Sequence, residues 1–153
     1  MPWTRGREVV DRLLDNAELE RVVPSEDLAA RLVGDARTHL ESAQTIRDLD
    51  PAGAYQLAYD AVRKACSALL AVQGLRATTR GGHVAVQETV TEQFGAVFAP
   101  FARMRRQRRD SEYPDLETPA LGPDDAAHGV TLAEAIVDAA ARLLESGELT
   151  PFR

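Results

Sequence analysis

Between Pro51 and Gly74 the chain carries two apolar rows side by side, and this limits the fold more than any other feature. Ala54, Ala58, Ala61, Ala65 and Leu69 form one row; Tyr55, Tyr59, Val62, Cys66 and Leu70 form the other. Steps of three and four residues keep each row on one side of an α-helix. Only Gln56, Asp60, Arg63, Lys64 and Ser67 make a polar strip. A helix apolar over most of its circumference has to be covered on several sides. It is therefore central to a bundle, or shared between a core and a subunit interface. Asp50-Pro51 supplies an N-cap and a first-turn proline, and Gly74 suits the C-terminal stop.

Around this helix the sequence predicts others. The first covers residues 5 to 20, with Thr4 as N-cap and Val9, Val10, Leu13, Leu14 and Ala17 as its apolar side. After Val23-Pro24, Ser25 caps a second helix that runs to about Asp48, with Leu28, Leu32, Ala36, Leu40, Ala43 and Ile46 facing inward. Residues 75 to 82 read as a loop, with Gly81-Gly82 turning the chain into a fourth helix near His83 that breaks at Gly95. A fifth carries Val97, Phe98, Phe101 and Met104 inward, with Pro100 as a bend or first-turn residue. A proline-rich loop over residues 114 to 123 leads to a last helix from about Asp124 to Ser146, presenting Ala127, Leu132, Ile136, Ala139 and Leu143. No run alternates as a strand does. The expected fold is all-α, an up-and-down bundle of five to six helices in one domain. Its core spans about residues 25 to 145, and the GELTPFR tail is expected to be loose.

Composition removes several function classes. The 153 residues are 44% hydrophobic and only 5% aromatic, which favours helices packed on small aliphatic side chains. A net charge of -6 argues against general coating of nucleic acid. The lone Cys66, set among Ala65, Ala68 and Leu69, reads as a buried thiol rather than a nucleophile. His39, His83 and His128 do not have metal-ligand spacing, so neither metal nor cofactor is expected; His83 reads as an N-cap or a loop hydrogen-bonder. Gly81-Gly82 lacks the phosphate-loop lysine, and no nucleophile-elbow serine is present. The N-terminus has no signal-peptide core and no stretch is long enough to span a bilayer, so no membrane association is expected and the cytoplasm is the expected compartment.

The one site-like constellation ends the fifth helix. Arg103, Arg105, Arg106, Arg108 and Arg109 fall together, followed by Ser111-Glu112-Tyr113-Pro114. Cations suit a helix C-terminus, which accounts for part of the clustering. The row Val97, Phe101, Met104 directs Arg108 toward the packed side, where Asp60 on the polar strip is the expected partner.

The third helix AYQLAYDAVRKACSALLAVQGLR, the loop ending GGH, and the helix ending RMRRQRRDSEYP together resemble a HEPN domain, in particular the short, stand-alone actinobacterial ones. The resemblance covers about residues 25 to 145 and implies a small helical bundle that commonly dimerises. Many HEPN domains are metal-independent RNases of toxin–antitoxin and defence systems. Their signature is an arginine, a polar residue, then a histidine four to six positions beyond the arginine. Toxins paired with minimal nucleotidyltransferases extend it to R-N-x-x-x-H-x-Y, and the partner can adenylylate that tyrosine. Carried over, Arg106 takes the arginine position, Gln107 the polar one and Tyr113 the tyrosine, while Ser111 stands in place of the histidine. Serine is a poor general base, so the family's proton-transfer group is missing from this segment.

The resemblance thus implies Arg106, Ser111 and Tyr113 as the catalytic positions and Arg105, Arg108, Arg109 and Tyr113 as binders of nucleotide or RNA. Tyr113 is also the expected modification site. The favoured expectation is a homodimeric toxin–antitoxin or defence component that engages nucleotide, RNA or a nucleotidyltransferase partner. An RNase with a histidine-less site and a purely structural dimerisation protein remain as alternatives.

Overall fold

The computed structural model describes residues 5–153; the expected N-cap Thr4 lies outside them. The elements run α1 (Arg7–Asp15), β1 (Leu19–Arg21), α2 (Glu26–Ile46), α3 (Pro51–Val72), β2 (Leu75–Ala77), α4 (Gly82–Phe94), a single 3-10 turn (Ala96–Phe98), α5 (Pro100–Glu112) and α6 (Pro123–Ser146). The fold is an all-α bundle with one small two-stranded sheet.

The two apolar rows make α3 the centre. Every residue of both rows is buried, and α2, α6, α4 and α5 all pack on this helix. Its small side chains permit close approach: the Tyr55 ring lies so near Gly129 of α6 that a Cβ there would stand 2.8 Å from a ring carbon. The caps follow the sequence. Asp50 Oδ1 accepts from Gly53 N at 3.0 Å, and Ser25 Oγ accepts from Leu28 N at 3.0 Å.

Several expectations fail in detail. The first helix stops at Asp15 rather than residue 20. Glu18 N bonds Leu13 O and Ala17 N bonds Leu14 O, a Schellman closure, with Ala17 in the left-handed region at φ 58. The released residues form β1, which pairs antiparallel with β2: Leu19 opposite Ala77, Glu20 opposite Arg76, Arg21 opposite Leu75. Residues 75 to 77 are therefore strand, not loop. Three-residue strands are too short to show alternation in a sequence. Gly81 sits against the chain entering β1, where a Cβ would collide with the Glu18 carbonyl.

Facing positions also shift. Leu28 and Val97 are exposed, and Ala29 takes the inward place at the start of α2. In α6 the buried set is Ala126, Gly129, Val130, Ala133, Ile136, Val137, Ala139 and Ala140, leaving Ala127, Leu132 and Leu143 only partly covered. The tail is docked rather than loose. Phe152 is buried, its N–H donates to Gln73 O at 2.9 Å, and its carbonyl accepts from Arg21 Nη1 at 2.7 Å. The guanidiniums of Arg7 and Arg21 stack on the Phe152 ring.

Candidate functional site

Gly95, at φ 81, turns the chain between α4 and α5. Pro100 then occupies the first turn of α5, and Phe98, Phe101 and Met104 are fully buried beneath it. These anchors set the rotation of the helix and so decide where each arginine goes. His83, at the start of α4, and Arg105 and Arg108, late in α5, lie at similar distances on either side of Gly95. The turn brings them together.

The inner part of the site surrounds Tyr59. Its hydroxyl lies 2.7 Å from His83 Nδ1, and the two rings are 5.5 Å apart. Phe101 packs edge-on against the same tyrosine, and the Arg108 guanidinium lies 5.6 Å from its ring centre. Burial pushes the Tyr59 phenol up to about 12 against the pull of Arg108, Arg105 and Arg63, so this hydroxyl is a neutral hydrogen-bonding group. The His83 imidazole is held below its ordinary value, first by burial and then by Arg63, Arg108 and Arg105, with Asp60 opposing. It is neutral at pH 7 and surrounded by fixed positive charge.

Arg108 does turn inward, but its partner is not Asp60. Its Nε donates to Gln56 Oε1 at 2.9 Å, and its Nη2 meets Glu112 Oε2 at 2.9 Å. Asp60 lies instead against Arg63 at 3.6 Å, within ion-pair range but too long for a hydrogen bond, and accepts weakly from Gln56. The longer, adaptable arm of Gln56 stands between the two charges, a relay that helical spacing alone did not reveal. Arg105 and Arg63 both carry a buried Nε with no protein acceptor.

The remaining expected site residues separate from this cluster. Arg103, Arg106 and Arg109 are exposed, and Arg109 meets its neighbour Asp110 at 3.7 Å. Ser111 lines a small cleft of about 240 Å³ with Tyr55, Gln56 and Arg108. Gln107 Oε1 accepts from the Tyr55 hydroxyl at 2.8 Å, so the polar motif position is spent on packing α5 to α3. Tyr113 is 78% exposed at the end of α5. The segment from Arg103 to Tyr113 is thus two surfaces: an inner one with Arg105 and Arg108, and an outer one with Arg106, Arg109 and Tyr113.

Sequence reasoning missed Tyr59, Arg63 and His83 as members of the site. The equal lengths of α4 and α5 about Gly95 were the available signal. The other histidines lie elsewhere: His39 Nε2 is 2.9 Å from Lys64 Nζ between α2 and α3, and His128 is exposed. Burial pushes the Cys66 thiol up, which keeps it protonated and inert. Among the described residues no three His, Cys, Asp or Glu side chains are grouped to hold a metal ion, and no helix is long and apolar enough to cross a membrane. Compared with family models, curated proteins and solved structures, the chain matches none of them.

Proposed function

We propose that this chain is a HEPN-like, homodimeric component of a bacterial toxin–antitoxin or defence module, which holds RNA or nucleotide phosphate on the arginine face of α5. The observation that carries the reading is the surplus of donors there. Arg108 is satisfied by Gln56 and Glu112, whereas Arg105 has a buried Nε without an acceptor and Arg106 is exposed. Guanidinium donors in excess of local carboxylates suit phosphate oxygens. The deciding experiment is fluorescence anisotropy with a labelled single-stranded RNA of mixed sequence. Wild type binds, and Arg105→Met with Arg106→Met weakens binding about tenfold or more at moderate salt. Equal binding by wild type and the double variant sinks the reading. Light scattering at micromolar concentration tests the dimer, which a monomer contradicts.

The exposed Tyr113 phenol beside Arg109 suits modification by a nucleotidyltransferase partner. Its oxygen attacks the α-phosphorus of ATP, pyrophosphate leaves, and the phenolic proton passes to a base on the partner. The added negative charge would then screen the arginines and switch off phosphate binding. Co-expression and intact mass measurement test this; an AMP increment that persists in Tyr113→Phe rules it out.

A second reading, metal-independent RNase, is favoured by one observation. A neutral histidine, His83, lies among Arg63, Arg105 and Arg108 although the motif position holds Ser111. In that reading His83 takes the 2′-hydroxyl proton as that oxygen attacks phosphorus, the arginines stabilise the phosphorane, and the P–O5′ bond breaks with the 5′-oxygen taking a proton from water. Cleavage of RNA in the presence of a chelator, lost in His83→Gln, supports it; no cleavage by wild type leaves the chain a binder.

A further inference from the structure

We propose that the groove between α2, α3, β2 and the start of α4 binds a small amphipathic anion, an apolar body ending in one phosphate or carboxylate group. The groove encloses about 610 Å³, within the roughly 300–1,000 Å³ usual for small-molecule sites. It shares Arg63 and His83 with the inner α5 site but extends away from α5 along α2 and β2, and it does not rest on RNA binding there.

One face of α3 gives the groove its direction. Arg63, Ser67 and Leu70 follow one another along it at steps of four and three, polar at one end and apolar at the other. Leu28 and Leu32 from α2, with Val86 from α4, extend the apolar wall. His83 closes the polar end beside Arg63. Leu28 is 46% exposed, an apolar side chain left at the mouth of a cavity rather than packed.

Charge decides the head group. The chain has 24 acidic residues, yet none lines this groove. Arg76, also on the wall, is committed to Glu20 at 2.6 Å across the β-ladder. Arg63 is not so committed: its Nε has no acceptor, and Asp60 stays at 3.6 Å. An anionic head at this end would take the guanidinium and the Ser67 hydroxyl, and would favour protonation of His83. With Arg76 tied to Glu20, Arg63 is the guanidinium on this wall left for an anion, so the ligand carries its charge at one end only.

Calorimetry on the full chain tests this with four probes: octyl phosphate, octanoate, octanol and inorganic phosphate. The expected result is that at least one octyl anion binds one per chain, about tenfold or more tighter than octanol or inorganic phosphate. Arg63→Met then weakens that anion about tenfold and leaves octanol unchanged. The tighter of the two anions identifies the head group. Octyl anions binding no better than octanol overturn the proposal, and this comparison needs only the wild type. Equal binding of the anion by wild type and Arg63→Met also overturns it. So does a dimer that excludes every probe and becomes monomeric in Leu28→Asp, which would give the groove to a second copy.

Discussion

Helices α3 and α5 lie against each other and are held in opposite ways. α3 buries both of its apolar rows and shares its packing among four other helices. α5 buries only Phe101 and Met104 within its own span, and spends the rest of its length on charge. Stability spread over many small side chains tolerates little change in shape at any of them. A helix pinned at two points leaves its other positions free for chemistry. The candidate site forms where the two meet, at Tyr59, because the central helix supplies a rigid floor and α5 supplies charges that the fold does not consume.

The sharpest way to break this contrast is to remove a pin. Phe101→Ala should cost about 3–5 kcal/mol in urea unfolding, since it empties a fully buried aromatic site. It should also abolish the RNA binding proposed for α5 under conditions where the chain remains folded. A loss under about 1 kcal/mol would mean that the arginine helix is held by something other than its two anchors. On the α3 side, Phe152→Ala should cost about 3 kcal/mol, because the tail closes over Gln73 at the end of that helix. An unchanged urea midpoint would return the tail to solvent.

Within α5 the arginines should rank by contact. Arg108→Ala should cost about 1–2 kcal/mol, a charged hydrogen bond discounted for partial exposure. Arg103→Ala should stay within about 0.5 kcal/mol. Equal thermal midpoints would place Arg108 in solvent. A burial against Asp60 would have made the cost larger; the neutral Gln56 reduces it.

His83 gives the contrast a pH signature. Its imidazole takes up a proton less readily folded than unfolded, so its contribution to stability is complete above the ordinary value of 6.5. That contribution is lost as the pH falls through the lowered folded value. His83→Gln should flatten the acid side of the stability profile in this window. A profile with the same slope as wild type would show that the proton uptake belongs to another group. The smallest expected effect lies outside both helices. Ala17→Gly should stabilise the chain by about 0.5 kcal/mol, because the Schellman closure of α1 holds an L-residue at positive φ; a loss of stability would mean that the extra freedom of glycine in the unfolded chain outweighs the relieved strain.

Much of this was legible in the sequence, and the exceptions share a cause. The rows of α3, the caps at Ser25 and Asp50, and the inward Phe98, Phe101 and Met104 follow from local spacing, and the structure keeps them. β1, β2 and the docked Phe152 were not legible, because each depends on a partner far along the chain. Leu28 and Ala29 exchanged roles for a similar reason: helical periodicity fixes a stripe only to within a residue until the neighbouring helix is known. The candidate site divides in the same way. The arginines of α5 were evident as a cluster, but their sorting into an inner and an outer surface was not. The gathering of Tyr59, Arg63 and His83 around the inner one is a tertiary fact, set by the turn at Gly95.

In the proposed reading, His83 and the inner arginines of α5, Arg105 and Arg108, form one anion-responsive site. The most direct test is a histidine side-chain nitrogen–proton correlation spectrum of the labelled chain, titrated with a short single-stranded RNA. Three histidines make the assignment tractable. The His83 ring signals should move toward the protonated form on binding, His39 and His128 should stay in place, and Arg105→Met should remove the response. RNA binding with the His83 signals unmoved, or a response that survives Arg105→Met in full, would contradict it.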